Sequence, residues 1–309
     1  MKRRVVITGA FSYIGSAAAA VLHARGWQVH TLTNRRAPAG EQRFTASPLV
    51  FELDPLVAAL KNADAFVNTY WVRLPHAAID FHTAVANSKI LVHAAEIAQT
   101  RRLVHVSVSN ASLQSGLGYY HGKAEVDAFV GECSVSHAIV RPTLVVGPSD
   151  VLTNNIAWFL RFFPFFPVPD GGRFRLQPVT LADTGRIIAD AVESPEPLDV
   201  DAAGPEILTF REYVVGLARA CRVRRAIFGV PGWLALAGIR LLEPFLGDVV
   251  LTREELLGLK QELLLSHKPP LGTQRVSDWL MDNGRGLGRR YVNDMRRHFG
   301  AQSKEPVRL

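Results

Sequence analysis

The chain has 309 residues, 48% of them hydrophobic, and a formal net charge of +7. That is enough apolar material for one large domain or two smaller ones, which excludes a disordered polypeptide. Cys133 and Cys221 are too few for a disulfide framework, lack metal-ligand spacing and fit a reducing cytoplasm, the expected location. No uninterrupted run of roughly 18 apolar residues occurs, so no transmembrane segment is expected; Ile227 to Leu246 is broken by Pro231, Arg240, Glu243 and Pro244. Lys2, Arg3 and Arg4 ahead of an apolar stretch imitate a secretion signal, but the same residues read better as a strand, turn and helix. Residues 284–309 carry seven Lys or Arg against Asp294 and Glu305. This reads as a solvated C-terminal helix and tail rather than a site for an acidic partner or membrane surface. No nucleic-acid motif accompanies it.

Strands are expected at Arg4–Thr8, Gln28–Thr33, Leu49–Leu53, Ala65–Thr69, Leu103–Val108 and Ser136–Val140. Helices are expected at Tyr13–Arg25, Leu56–Lys61, Ala78–Gln99 and Tyr119–Val130. The alternation predicts α/β architecture with a doubly wound parallel sheet, whose strands are buried on both faces and read as continuous apolar runs such as "RRVVIT". After Pro142 the pattern loses regularity: "RFFPFFPVPDGG" (161–172) reads as a loop, Leu181–Val192 as a helix, and "TFRE" (209–212) as a capping box. The expected organisation is a nucleotide-binding domain over 1–150, with about 178–208 returning to it. Residues 151–309 then form a smaller, mostly helical substrate lobe with a basic end.

"TGAFSYIG" (8–15) follows the first strand and opens the first helix. Gly9 permits the tight turn, Gly15 permits close helix packing, and backbone amides through Phe11, Ser12, Tyr13 and Ile14 face a pyrophosphate at the helix N-terminus. Ser12 stands where a third glycine is usual. The second strand ends "TLTNRR" without the acid that binds a ribose 2′-hydroxyl. Arg35, and secondarily Arg36, could instead pair with a 2′-phosphate or be solvated loop charges, with Asn34 beside them in the cofactor set; NADP(H) is favoured over NAD(H), which stays open.

"YYHGK" places Tyr119 and Lys123 four residues apart on one helical face. Hydride transfer to a carbonyl leaves an alkoxide that needs a proton, and a phenol supplies one at neutral pH only if nearby positive charge lowers its pKa. Lys123 supplies such a charge. Ser107 and Ser109 close the preceding strand on one face, and either hydroxyl could bond a substrate carbonyl or satisfy local backbone groups.

Together these residues resemble the extended and atypical short-chain dehydrogenase/reductase superfamily, the NAD-dependent epimerase/dehydratase group, over about residues 4–215. The resemblance rests on "TGAFSYIG", "HTAVANSKILVHAA", "RLVHVSVS", the Tyr119 and Lys123 pair, "RPTLVVGP" (141–148) and "PVTLADTGRIIADAV" (178–192). "NTYWVRLP" (68–75) and the end of the chain look like a branch near the complex I accessory-subunit lineage. The resemblance implies a Rossmann-like fold with Tyr119 as acid/base and Lys123 on the nicotinamide ribose. Ser109 or Ser107 would polarise the substrate, and Asn87 would support a proton relay or the helix itself. Pro142, Thr143 and Val145 would lie by the nicotinamide amide, Asp54 by the adenine, and Asn68 and Thr69 complete the cofactor set.

Trp158, Phe159, Phe162, Phe163, Phe165, Phe166 and Trp233 could line an apolar pocket or simply form core. Only Arg161, Arg173 and Arg175 offer charge for a sugar-nucleotide diphosphate. The expected function is an NAD(P)H-dependent oxidoreductase acting on a small, mainly apolar carbonyl, enone or alcohol. A sugar-nucleotide epimerase/dehydratase and a non-catalytic NADPH-binding sensor or assembly subunit are the alternatives. A homodimer is compatible with the sequence and no metal is expected.

Overall fold

The computed structural model describes residues 3–76 and 79–299. In chain order these form β1 (Arg4–Thr8), α1 (Tyr13–Ala24), β2 (Gln28–Leu32), β3 (Thr45–Ser47), α2 (Leu53–Leu60), β4 (Ala65–Asn68) and α3 (Phe81–Ile97). Then come β5 (Arg102–Val106), α4 (Gly118–Glu132), β6 (His137–Pro142), β7 (Leu144–Val146), α5 (Val151–Phe162), β8 (Phe165–Pro169), β9 (Arg175–Leu176) and β10 (Pro178–Thr180). The chain continues through α6 (Leu181–Glu193), β11 (Leu198–Ala202), β12 (Leu208–Thr209), α7 (Phe210–Ala220), β13 (Ala226–Val230) and α8 (Gly232–Leu246). It closes with α9 (Arg253–Lys260), α10 (Val276–Asn283) and α11 (Asp294–Phe299).

Contacts divide the chain into two compact units. The first is Met1–Pro142 with Leu181–Ala202 and Lys268–Gly272; the second is Thr143–Thr180 with Ala203–His267 and Thr273–Leu309.

The first unit holds a seven-stranded sheet in the order β11-β6-β5-β4-β1-β2-β3, parallel throughout. Strand order reverses between β1 and β4, the place where doubly wound sheets open a crevice at their carboxyl ends. Alternation along β1 sends Val5 and Ile7 to the face covered by α1 and α6, and Val6 to the opposite face with Phe66, Leu91 and Val126. Each such side chain, fully buried, contributes about 1.5–3 kcal/mol relative to exposure. The run of alanines in α1 lets α6 approach closely: a Cβ on Gly185 would stand 2.9 Å from the Ala17 Cβ.

Two expectations fail here. The alternation of Leu49, Phe51 and Leu53 packs onto the core without joining the ladder, and helix α2 already begins at Leu53. The strand is instead the polar, short edge strand Thr45–Ser47, as edge strands often are. Asp54 is therefore an exposed acid in the first turn of α2, where it complements the helix dipole, and not a residue at a strand's end. The expected Ala78 start of α3 lies outside the described residues.

The second unit has its own core, built from Val146, Leu160, Val168, Leu176, Tyr213 and Leu217 among others. "RFFPFFPVPDGG" is not a loop: it carries the end of α5 and then β8, which pairs with β13. Prolines 167 and 169 are tolerated because β8 has a partner on one side only. The capping box forms as expected, with the Thr209 hydroxyl accepting from Glu212 N and the Glu212 carboxylate accepting from Thr209 N.

Candidate active site

The turn after β1 is built by backbone contacts. Gly9 takes φ +70°, donates its N–H to Leu32 O at 2.8 Å and accepts from Ser12 N at 2.7 Å. A Cβ on Gly15 would lie 2.2 Å from Gly9 O, so only glycine lets α1 begin this close to the strand exit. Ser12 is the N-cap of α1, yet its hydroxyl caps nothing; it fits against the two glycines, 3.0 Å from where a Gly9 Cβ would be. The N-terminus of α1 thus has no side-chain cap from Ser12, and a helix N-terminus of this kind favours an anion. The residues fit a dinucleotide pyrophosphate.

The same turn is joined to β4. Thr69 donates its N–H to Thr8 Oγ1 at 2.7 Å and its hydroxyl to Thr8 O, and Thr8 Oγ1 lies 3.3 Å from Asn68 Oδ1. The Asn68 amide also reaches His105 Nδ1 at 3.3 Å. Beyond β4, Tyr70 N donates to Asn68 Oδ1, and the Asn87 amide donates to the Tyr70 hydroxyl at 3.0 Å. Asn87 is thereby engaged with Tyr70, whose pKa burial raises.

Trp71 comes next and meets α4. The Lys123 ammonium lies 4.4 Å from the Trp71 ring centroid and donates to Val106 O at 2.8 Å. The rings of Tyr119 and Phe81 contact Trp71 edge-on and stacked respectively, at 6.1 and 6.5 Å. Gly122 allows this approach, since a Cβ there would stand 3.2 Å from the Trp71 ring. Burial drives the Lys123 pKa down to about 7, opposed by Asp127. Asp127 sits one turn further along α4 and is itself pushed up by burial, against Arg141, Ser107 and Lys123.

Ser107 and Ser109 take different partners. Ser107 Oγ donates to Asp127 Oδ2 at 2.9 Å, and Arg141 donates to the same oxygen at 3.1 Å. Arg141 also pairs with Asp199, which Lys268 meets at 2.8 Å. His105, kept neutral by burial, faces the other Asp127 oxygen at 3.6 Å. Ser109, fully buried, continues the ladder to β6 by donating its N–H to Pro142 O at 3.0 Å.

The remaining sequence candidates scatter. Asn34 is locked to Leu49 by two hydrogen bonds, its amide donating to Leu49 O and its carbonyl accepting from Leu49 N. Arg35 is half-buried and Arg36 exposed. Thr143 and Val145 belong to the second unit, where Thr143 donates to Gln177 O and Val145 pairs in register with Val179. There, too, Arg161 donates to the carbonyls of Leu287, Gly284 and Cys221, and Arg175 pairs with Glu262. Trp158, Phe159, Phe162 and Phe163 pack on one another and on Tyr291, whereas Trp233 lies on the outer side of α8.

Solved structures share this fold. A nucleoside-diphosphate-sugar epimerase from Staphylococcus aureus superposes with a TM-score of 0.69 at 14% identity, covering 91% of this chain and 100% of that one. The Bordetella bronchiseptica enzyme WbmH, in complex with NAD+, gives 0.64 at 16% identity, covering 97% and 100%. UDP-N-acetylglucosamine 4-epimerase from Bacillus cereus gives 0.65 at 12% identity, covering 88% and 100%. The chain has the extended short-chain dehydrogenase/reductase fold. The sheet order and the glycine turn are those of folds that bind nicotinamide dinucleotides.

In sequence the chain is distantly similar to a mitochondrial complex I protein, NADH dehydrogenase [ubiquinone] 1 alpha subcomplex subunit 9. It is 27% identical to the Arabidopsis thaliana protein over 127 residues, 40% of this chain and 32% of that protein. For the Rattus norvegicus protein the figures are 26% over 146 residues, 47% and 39%. The matched stretch thus spans about a third of those relatives' length. No family model matches the chain.

Sequence reasoning missed Trp71, Phe81, Asp127 and Arg141. Asp127 had a visible signal, being four residues beyond Lys123 on the same helix face. Trp71 had only its place after β4, and its contact with Lys123, distant in the chain, exists only in the folded state.

Proposed function

We propose that the chain is an NADP(H)-dependent oxidoreductase moving hydride between the nicotinamide and a small, mainly apolar carbonyl, enone or alcohol. The observation that carries this reading is the buried Lys123 ammonium held against Trp71, whose ring also abuts Tyr119. The bound dinucleotide supplies or accepts the hydride. Tyr119 gives the proton to the oxygen that becomes alkoxide, and the Lys123 charge favours the phenolate left behind. Ser109, at the exit of the strand, or Ser107, which also donates to Asp127, is the hydroxyl that polarises the carbonyl. Arg35, at the acid-free end of β2, pairs with a 2′-phosphate. The engagement of Arg161 and Arg175 within the second unit supports an apolar substrate over a sugar nucleotide.

The test adds NADPH and NADH separately to the protein with ketones, enones and quinones and follows nicotinamide absorbance. Oxidation of NADPH, lost in Tyr119→Phe, is expected. Equal turnover by Tyr119→Phe refutes the acid/base assignment, and turnover of a sugar nucleotide without net redox change would make the protein an epimerase. A second reading is favoured by the match to complex I subunit 9: a dinucleotide-binding subunit of a larger assembly. Tight NADPH binding with no turnover across the panel would establish it.

A further inference from the structure

The second unit carries a surface that the dinucleotide chemistry does not use. Helix α8, "GWLALAGIRLLEPFL", is apolar almost all round. Such helices are normally enclosed by protein or by lipid. Its inward side holds Gly232, Ala235, Ile239, Leu242 and Leu246, all buried or partly so. On the opposite side Trp233, Ala237, Leu241 and Phe245 repeat every four residues, and Trp233, Leu241 and Phe245 are 71%, 74% and 88% exposed. Leu234 and Pro244 widen this stripe, and Arg240 borders it.

The helix is held in place at both ends, so its apolar face is not a frayed segment. Gly232 N donates to Asp170 Oδ1 at 2.8 Å at the start. At the end, Gly247 closes α8 in the left-handed conformation. The Asn293 amide then donates to Leu246 O and Gly247 O at 2.9 and 3.0 Å.

That last contact ties a cationic stretch to the Phe245 end. Residues 284–299 contain five arginines and one acid, Asp294, which is buried. Arg285, Arg289, Arg290 and Arg296 are exposed, and none enters an ion pair among the described residues. A Trp, Leu and Phe face bordered by arginine is the chemistry of an in-plane interfacial helix, with apolar side chains among the acyl chains and guanidinium groups on lipid phosphates. No helix among the described residues is long and apolar enough to cross a membrane, so the contact would be peripheral.

We propose that α8 and the arginine-rich segment tied to its end form a docking face for an anionic lipid bilayer. The experiment is co-sedimentation of the full chain with phosphatidylcholine vesicles, with and without phosphatidylglycerol. Wild type is expected to pellet with the anionic vesicles, with a blue shift in tryptophan emission that Trp233→Phe removes while binding persists. The variant L241S/F245S changes only exposed side chains; it is expected to keep its melting temperature and lose vesicle affinity about tenfold or more. R289Q/R290Q should lose most of the preference for anionic vesicles, as wild type should in roughly 0.5 M salt. The proposal is overturned if wild type stays in the supernatant with both compositions, or if L241S/F245S binds as well as wild type. It is equally overturned if the face proves to join two copies, shown by a dimer that L241S/F245S converts to monomer without any vesicle binding.

Discussion

At Gly15 a hypothetical Cβ would meet a backbone carbonyl, Gly9 O, at 2.2 Å; at Gly122 it would meet the tip of a side chain, the Trp71 ring, at 3.2 Å. The two glycines sit in the two halves of the candidate site, and the contrast between them describes how each half is made. The glycine turn is fixed mainly by backbone against backbone, with hydroxyls of Thr8, Thr31 and Thr69 tying it to the neighbouring strands. The Lys123 half is fixed by Trp71 after β4, Phe81 of α3 and the Val106 carbonyl of β5, and burial there sets the charge state of the lysine. A backbone clash cannot be relieved locally, whereas a ring can shift by tenths of an ångström.

The largest effect separates chemistry from architecture. Tyr119→Phe should lower kcat by about 10²–10⁴, the usual worth of a positioned general acid, while NADPH affinity measured by fluorescence titration stays within about twofold. A matching loss of affinity would mean that Tyr119 shapes the cofactor half as well. Gly15→Ala comes next: it should cost about 2–3 kcal/mol in a denaturant melt and abolish dinucleotide binding, because the new methyl lands on Gly9 O. Gly122→Ala should cost about 1 kcal/mol or less and act mainly on turnover, through Trp71 and Lys123. Equal costs at the two glycines would break the contrast.

The lysine half should also show itself in pH dependence. Lys123 has its pKa lowered to about 7 by burial, so the folded chain releases a proton that the unfolded chain keeps up to the ordinary lysine range. Between about pH 7 and that range the unfolded state binds more protons, and stability therefore rises with pH. Lys123→Met should flatten that stretch in melts at neutral and alkaline pH. The charged ammonium is present below about pH 7 and lost above it, so kcat/KM for carbonyl reduction should fall as pH rises through about 7. The smallest effect is expected from Ser12→Gly: its hydroxyl caps nothing, so NADPH affinity should change by no more than about threefold in the same titration.

Much of the fold was legible. β1 falls where Arg4–Thr8 predicts it, and β2, β4, β5 and β6 lie within two residues of their predicted bounds, because strands buried on both faces are written as unbroken apolar runs. The misses have a common cause. β3 is a polar edge strand and β8 is rich in proline, and each is a strand only because one neighbouring strand presents hydrogen-bonding groups to it. In the site, the glycine turn and the Tyr119 to Lys123 spacing could be read from short stretches. The commitment of Ser107 to Asp127, of Asn87 to Tyr70 and of Asn34 to Leu49 could not.

The sequence by itself determined the parallel sheet, the glycine turn and the placing of Tyr119 and Lys123 on one helical face, since strand burial, glycine torsions and helical period are local properties. Only the tertiary structure decided that Ser107 donates to Asp127, that Trp71 covers Lys123, and that the apolar α8 turns one side outward. Burial and partnership depend on residues far apart in the chain, and no local pattern records which of them meet.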